Sequence, residues 1–581
     1  LSVAALVSLL PFLFASWAGV AQAAPAFEAA GSVEQVYATG VPAGAGVTLS
    51  DGSGAVVGSK SADELGAVLF REVTPGNGYR LEVGGQQSEP LTVLTQRSAP
   101  PDTSIYNQPI EPSGYQYLTT RDGTKLAIDV HPPQDVLKLV TNQIPNPAEA
   151  AAGTGSAPGT PQLSLGELEK ILKEVPGVGE AGGGLSELLG KVGEGLGIKL
   201  SGPPRQKLLQ LRKATQGKAS QGRAAHGSAV ELPYVPTSPT PTLIEYAGYG
   251  YANPAGPESG ISLIANLMGF TVVDVNMRGT GCSGGAFDFF EPLQNLDGYD
   301  VIETIAAQPW ALHHEVGMMG ISYGGISQLF TAATRPPHLA AIAPLSVIDN
   351  TQTTLYPGGI LNTGFALEWA KERVHDAEAA GPSSGQAYAY KRVQEGDETC
   401  KKNQALHPEA VNLLQKVKDN SHYVPKVADP LSPVTFVNKI EVPTFMACQF
   451  TDEQTGGHCP DLAEHFTGTR KKWFTFTNGA HIDSLDPATF NRWIDFLELY
   501  VAKQPPLVAG AAMHVAAPLV FQEAMGIPGL TLPPDPIQLL PTYGLALAAF
   551  EAQKPIRVTF DSGAGGLSPG QPYPSFEASF N

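Results

Sequence analysis

Cysteine is scarce in this 581-residue chain, and the four present (Cys282, Cys400, Cys448, Cys459) never form the paired clusters of a zinc or iron–sulfur module. Basic residues are also in short supply. Thirty-six Lys and Arg face 55 Asp and Glu, for a net charge of -19, which weighs against a nucleic acid or an anionic membrane surface as the main partner. After the first twenty residues, no run is apolar for long enough to span a bilayer.

What stands at the start is almost wholly apolar from Leu1 to Val20, with Ser8 and Ser16 interspersed, and ends on Ala21-Gln22-Ala23, with small residues at the positions a signal peptidase reads. Residues 1–23 are therefore expected to be an export signal, making the protein secreted or associated with the cell envelope. The charged leader is missing and the first residue is not Met, so the chain is expected to begin further upstream; a retained membrane anchor is the alternative. In an exported chain four cysteines allow up to two disulfides, with three connectivities. A Cys448–Cys459 bond would close a short loop, leaving Cys282 and Cys400 free or paired with each other.

Residues 27–97 alternate in strand fashion, with turns at Asp51-Gly-Ser-Gly54 and Pro75-Gly-Asn-Gly78, and read as a small β-sandwich. Residues 112–133 carry a hairpin turn and an alternating strand. The stretch 134–240 is an insertion rich in Ala, Gly and Pro, partly helical, with seven Lys or Arg and no acid between Lys199 and His226. That arm reads as a solvated excursion or as a contact with the cell envelope. Over 241–350, buried strands alternate with helices. Residues 351–435 are expected to form a helical cap, 436–505 to resume the alternation, 506–554 to be a linker, and 555–581 to open a further β-sandwich that Asn581 cuts short.

The segment from Glu315 to Phe330 has a buried strand, a glycine-flanked Ser322 and then a helix pattern. This is the context in which a serine is held on a tight turn with its hydroxyl exposed, and Gly320 and Gly324 supply the small residues such a turn needs. Ser283, Ser383 and Ser568 share the Gly-x-Ser-x-Gly pattern but lie in turns and loops without a helix behind them.

A serine nucleophile needs a base and an acid to orient that base. Asp452 and His481 each follow a predicted strand in the required chain order, so Ser322, Asp452 and His481 are the candidate catalytic residues. Glu453 and Asp461 rival the acid; His458, His465 and His514 are weaker candidates for the base. For an oxyanion hole the candidates are the Tyr323 backbone N–H and, because the loop Ala247-Gly-Tyr-Gly-Tyr-Ala-Asn253 lacks consecutive glycines, the Tyr249 hydroxyl, with Tyr251 second.

The segments TTRDGTKLAIDVHPP, PTLIEYAGYGY, VVDVNMRGTGCSGG, QPWALHHEVGMMGISYGGISQLF, VPTFMACQFTDEQTGG and FTNGAHID resemble the cocaine-esterase/X-prolyl dipeptidyl-peptidase group of serine hydrolases. The resemblance implies an α/β-hydrolase core with a helical cap, the Ser322–His481–Asp452 triad and Tyr249 as oxyanion donor. It also implies a C-terminal jelly roll, of which 555–581 would be the start. Hydrolysis of a small acyl ester or amide through an acyl-enzyme is the expected function, with no metal or organic cofactor. X-Pro dipeptide release is the alternative, in which Glu368, Glu372 or Asp376 would pair with the substrate amine. A non-catalytic cell-envelope binding protein is the rival from another class.

Overall fold

The computed structural model describes residues 26–97, 102–133, 239–254, 260–525, 527, 529–562 and 577–580. The signal expected over 1–23, nearly all of the insertion expected over 134–240, and Ser568 lie outside the described residues. The chain divides into two units, one up to Val93 and one from Leu94 onward.

In the first unit, short antiparallel strands form a three-stranded sheet and a larger sheet built around Gly46–Ser50 and Gly76–Val83. Alternate residues Val36, Ala38, Val47, Leu49 and Leu81 are buried between them, as the period-two pattern requires.

The second unit is a ten-stranded sheet with strand order β10-β9-β8-β7-β6-β5-β3-β4-β2-β1. Here β1 is Gly114–Thr119, β2 Lys125–His131, β3 Thr242–Ala247, β4 Thr271–Asn276 and β5 Val316–Ile321. The others are β6 Leu339–Leu345, β7 Thr444–Gln449, β8 Lys472–Asn478, β9 Ile556–Ser562 and β10 Glu577–Phe580. Strands β3 to β9 run parallel, while β2 is antiparallel to β4 and β10 to β9. The central strands are buried along their whole length because helices cover both faces, which explains their continuous apolar sequence.

Helices α1 (Gly260–Met268) and α4 (Pro487–Leu497) share one buried cluster. Helices α2 (Pro292–Ala306) and α3 (Tyr323–Ala332) belong to the other. The architecture is an α/β-hydrolase sheet. Between β6 and β7, short helices over Thr351–Leu355, Phe365–Asp376, Ala387–Gln394, Glu398–Asn403 and Leu413–Asp419 form the cap.

Two expectations are corrected. Residues 506–554 are not a linker: Leu507–Met525 (α5) and Tyr543–Glu551 (α6) are helices. Ala509, Met513, Ala517 and Phe521, four residues apart, bury one face of α5 in the cluster that holds α1, and Phe550 packs on Trp473 with ring centroids 4.9 Å apart. Residues 556–562 do not open a separate jelly roll either. They pair in parallel with β8, Phe474 opposite Ile556, and so cover an edge of the main sheet that would otherwise lie open.

Candidate active site

The strand-to-helix connection at Ser322 is backbone-strained. Ser322 has φ 59° and ψ -123°, a region non-glycine residues seldom occupy. Glycine is obligatory around it. A Cβ on Gly320 would come within 2.6 Å of the Gly324 carbonyl carbon, and one on Gly325 within 2.5 Å of the Leu345 oxygen. The turn is held by the Ser322 N–H donating to Leu345 at 2.9 Å and by the Ile326 N–H donating to the Ser322 carbonyl at 2.7 Å. Tyr323 is the first residue of α3, so its N–H has no acceptor within the helix.

Asp452 follows β7 and His481 follows β8, two neighbouring parallel strands, so both loops emerge at the same sheet end. His481 Nδ1 and Asp452 Oδ2 are 2.8 Å apart, and both side chains are buried. The carboxylate is fixed further by the N–H groups of Gln454 and Thr455, each donating at 2.8 Å, and by the Thr455 hydroxyl at 2.7 Å. Burial by itself would raise the Asp452 carboxyl, but the bonds from His481 and Thr455 outweigh it and hold the group below its ordinary value. A Cys448–Cys459 disulfide, with Cα atoms 6.1 Å apart, closes this loop; a second bond joins Cys282 to Cys400. His481 Nε2 is buried and hydrogen-bonds to no atom of the described residues, so the structure joins Asp452 to His481 but not His481 to Ser322.

The rivals are placed elsewhere. Glu453 accepts the His481 backbone N–H at 2.9 Å rather than meeting the ring. Asp461 is exposed, as is His458; His465 leans on Asp461 and Glu464; and His514 bonds to the Gly510 carbonyl within α5. Ser283 is buried in a structural role, donating to the Asn276 carbonyl and accepting from the Ala127 N–H, both at 2.8 Å. Ser383 is exposed in a loop.

Tyr249 accepts a hydrogen bond from Trp369 Nε1 at 2.9 Å, and the Arg373 guanidinium lies 4.5 Å from its ring centre. Burial raises its phenol, with Arg373, Trp369 and Ser322 partly offsetting that. Tyr251 packs in the core instead, and burial pushes its phenol well up, with Glu245 adding to the effect. Sequence reasoning missed the residues that set the Tyr249 loop. Gln386 of the cap donates to the Gly248 carbonyl at 2.9 Å and accepts from Asn276 Nδ2 at 2.8 Å, while Asn276 Oδ1 accepts from the Ala252 N–H. No local motif marks Trp369, Arg373 or Gln386; each comes from a cap segment more than a hundred residues away in sequence.

Ser322 borders a cavity roofed by the cap and lined chiefly by apolar side chains, among them Phe289, Ile348, Phe365, Trp369, Val424 and Leu431. No helix among the described residues is long and apolar enough to cross a membrane.

The family model described as X-Pro dipeptidyl-peptidase (S15 family) matches residues 229–483, a span running from before β3 through His481. Over that span the chain is similar to the S15 family. Candidate serine esterases of Mycobacterium bovis and Mycobacterium tuberculosis are each 32% identical over 105 residues, covering 18% of this chain and 17% of theirs. The chain thus matches about a sixth of the length of those curated relatives. Among solved structures, a CocE/NonD family hydrolase from Staphylococcus aureus is 19% identical over 46% of each chain, with a TM-score of 0.36. An α-amino acid ester hydrolase is 12% identical over 70% of this chain and 57% of its own, with a TM-score of 0.34. The S15 span contains all five candidate residues: Tyr249, Ser322, Tyr323, Asp452 and His481.

Proposed function

We propose that this protein is a serine hydrolase that cleaves an acyl ester or amide bond through an acyl-enzyme, with Ser322 as nucleophile, His481 as base and Asp452 as the acid that orients it. The observation carrying this reading is the strained elbow that opens Ser322 onto the cap cavity, in a sheet whose loops after β7 and β8 bring Asp452 and His481 to 2.8 Å. Asp452 takes the Nδ1 side of the ring, so Nε2 is the nitrogen left to accept a proton.

In the proposed reaction His481 removes the Ser322 proton as Oγ bonds to the substrate carbonyl carbon. The Tyr323 N–H and the Tyr249 hydroxyl bind the resulting oxyanion. Collapse expels the alcohol or amine, which takes the proton from His481. Water, deprotonated by the same ring, then releases the acid and restores the serine. No step calls on a metal or an organic cofactor. The S15 match keeps X-Pro dipeptide release as a second reading.

Export to an oxidising compartment is part of the proposal, favoured by the two disulfides. Labelling by a fluorophosphonate probe is the test. Stoichiometric labelling that Ser322→Ala removes, in a variant with unchanged circular dichroism, supports the reading; an unlabelled folded protein would favour a non-catalytic envelope-binding role.

A further inference from the structure

Resting on the hydrolase reading, we propose that the cavity beside Ser322 is a chain pocket that selects uncharged esters of medium-length fatty acids over substrates carrying a free amine.

The lining supports this on three counts. First, its floor is Ser322, Tyr323 and Ile326, and its roof includes Ala366, Trp369 and Ala370. Those three sit at i, i+3 and i+4 on the cap helix, so they share one face and turn it inward. The cavity measures about 120 Å³, several times what a single water needs, so an acetyl group would leave most of it unfilled. Second, no Asp or Glu is among its lining residues in the described part of the chain. The three acids that could receive a peptide amine are engaged elsewhere. Glu368 pairs with Lys371 at 2.6 Å and is 59% exposed, Glu372 is 68% exposed, and Asp376 is held by Arg373 at 2.7 Å. The lysine on the wall, Lys416, is neutralised by Asp288 at 2.7 Å. An ammonium entering this space would give up its water without finding a carboxylate. Third, Phe365 and Val424 line the cavity yet are 36% and 43% exposed, which places apolar side chains at its mouth, where an incoming chain first leaves water.

The experiment is a chain-length series on the wild-type protein, using p-nitrophenyl acetate, butyrate, hexanoate, octanoate and decanoate, with Ala-Pro p-nitroanilide as the amine-bearing comparison. Each methylene withdrawn from water is worth up to about fourfold in binding. The expected result is a kcat/KM for octanoate at least about 10-fold above acetate, with the Ala-Pro amide well below every ester. A profile that is flat or best for acetate, or an Ala-Pro amide cleaved as well as the best ester, overturns the pocket assignment. Ala370→Phe fills the roof, and the octanoate-to-acetate ratio should then fall by about 10-fold or more, with retained fluorophosphonate labelling as the check on folding. An unchanged ratio in a labelled variant overturns the assignment too. Labelling separates the two ideas: a labelled serine with the wrong chain profile sinks the pocket alone, whereas no labelling and no ester turnover sink the hydrolase reading and the pocket with it.

Discussion

Trp369 donates its indole N–H to the Tyr249 hydroxyl at 2.9 Å, across a separation of 120 residues. An indole nitrogen can only donate, so the phenol oxygen accepts here and its own hydrogen is free to point elsewhere. With Arg373 over the ring and Gln386 on the Gly248 carbonyl, three cap residues hold Tyr249 and the loop that carries it.

The first prediction concerns that donor. Tyr249→Phe is expected to lower kcat by about 10²–10³ with a smaller change in KM, the usual cost of one oxyanion donor. Trp369→Phe keeps a ring in place but frees the phenol to rotate, and kcat is expected to fall by about 3–10-fold. Steady-state kinetics on a p-nitrophenyl ester measure both. Wild-type kcat in Tyr249→Phe would assign the oxyanion to other groups.

A second prediction separates the two carboxylates beside His481. Asp452→Asn, which cannot hold the ring in the required tautomer, is expected to reduce kcat by about 10⁴. Glu453→Gln keeps an oxygen for the His481 backbone N–H and is expected to lose less than about 10-fold. The reverse order of effects would move the acid role to Glu453.

Ser283 provides the third. Its hydroxyl ties the Asn276 carbonyl to the Ala127 N–H in the core, so Ser283→Ala is expected to lower stability by about 1–3 kcal/mol while leaving probe labelling in place. Thermal melts and fluorophosphonate labelling on the same preparation check this, and loss of labelling in a folded Ser283→Ala protein would contradict the assignment of Ser322.

The fourth follows from the loop that carries Asp452. Replacing both Cys448 and Cys459 by Ala removes the bond that closes it. Stability is expected to drop by about 2–4 kcal/mol, and kcat with it, as the acid gains freedom relative to His481. Equal kcat in oxidised wild type and the double variant would show that the Thr455 and Gln454 hydrogen bonds hold Asp452 without help.

The fifth is a pH effect with a definite sign. Burial pushes the Glu498 carboxyl, in the π turn that continues α4, up to about 8 from a usual 4.5, while a bond from Gln504 opposes the shift only in part. The folded protein therefore keeps a proton that the unfolded chain has released, and this group makes stability fall as pH rises from about 4.5 towards 8. Glu498→Gln removes that dependence. Its Tm relative to wild type is expected to be about 2–4 °C higher at pH 8 than at pH 5. A difference independent of pH would mean that Glu498 is ionised in the folded state.

Much of the second unit was legible because its signals are local. A buried parallel strand has to be apolar on both faces, and a serine elbow has to place glycine at fixed offsets, so Val316–Ile321, Ser322 and Tyr323–Ala332 could be read from adjacent residues alone. Asp452 and His481 were legible by their positions after two strands. The sequence by itself thus determined the alternation of strand and helix and the elbow at Ser322. Tertiary structure decided what depends on distant segments meeting. It brought Trp369, Arg373 and Gln386 onto the Tyr249 loop, turned Ser283 into a core tether, and carried Ile556–Ser562 to the edge of the main sheet, although its strand pattern is equally suited to a separate sandwich. The physical reason is that strand periodicity specifies which face is buried but not which edge is paired, and that a hydrogen bond between residues a hundred or more positions apart leaves no local trace in either one.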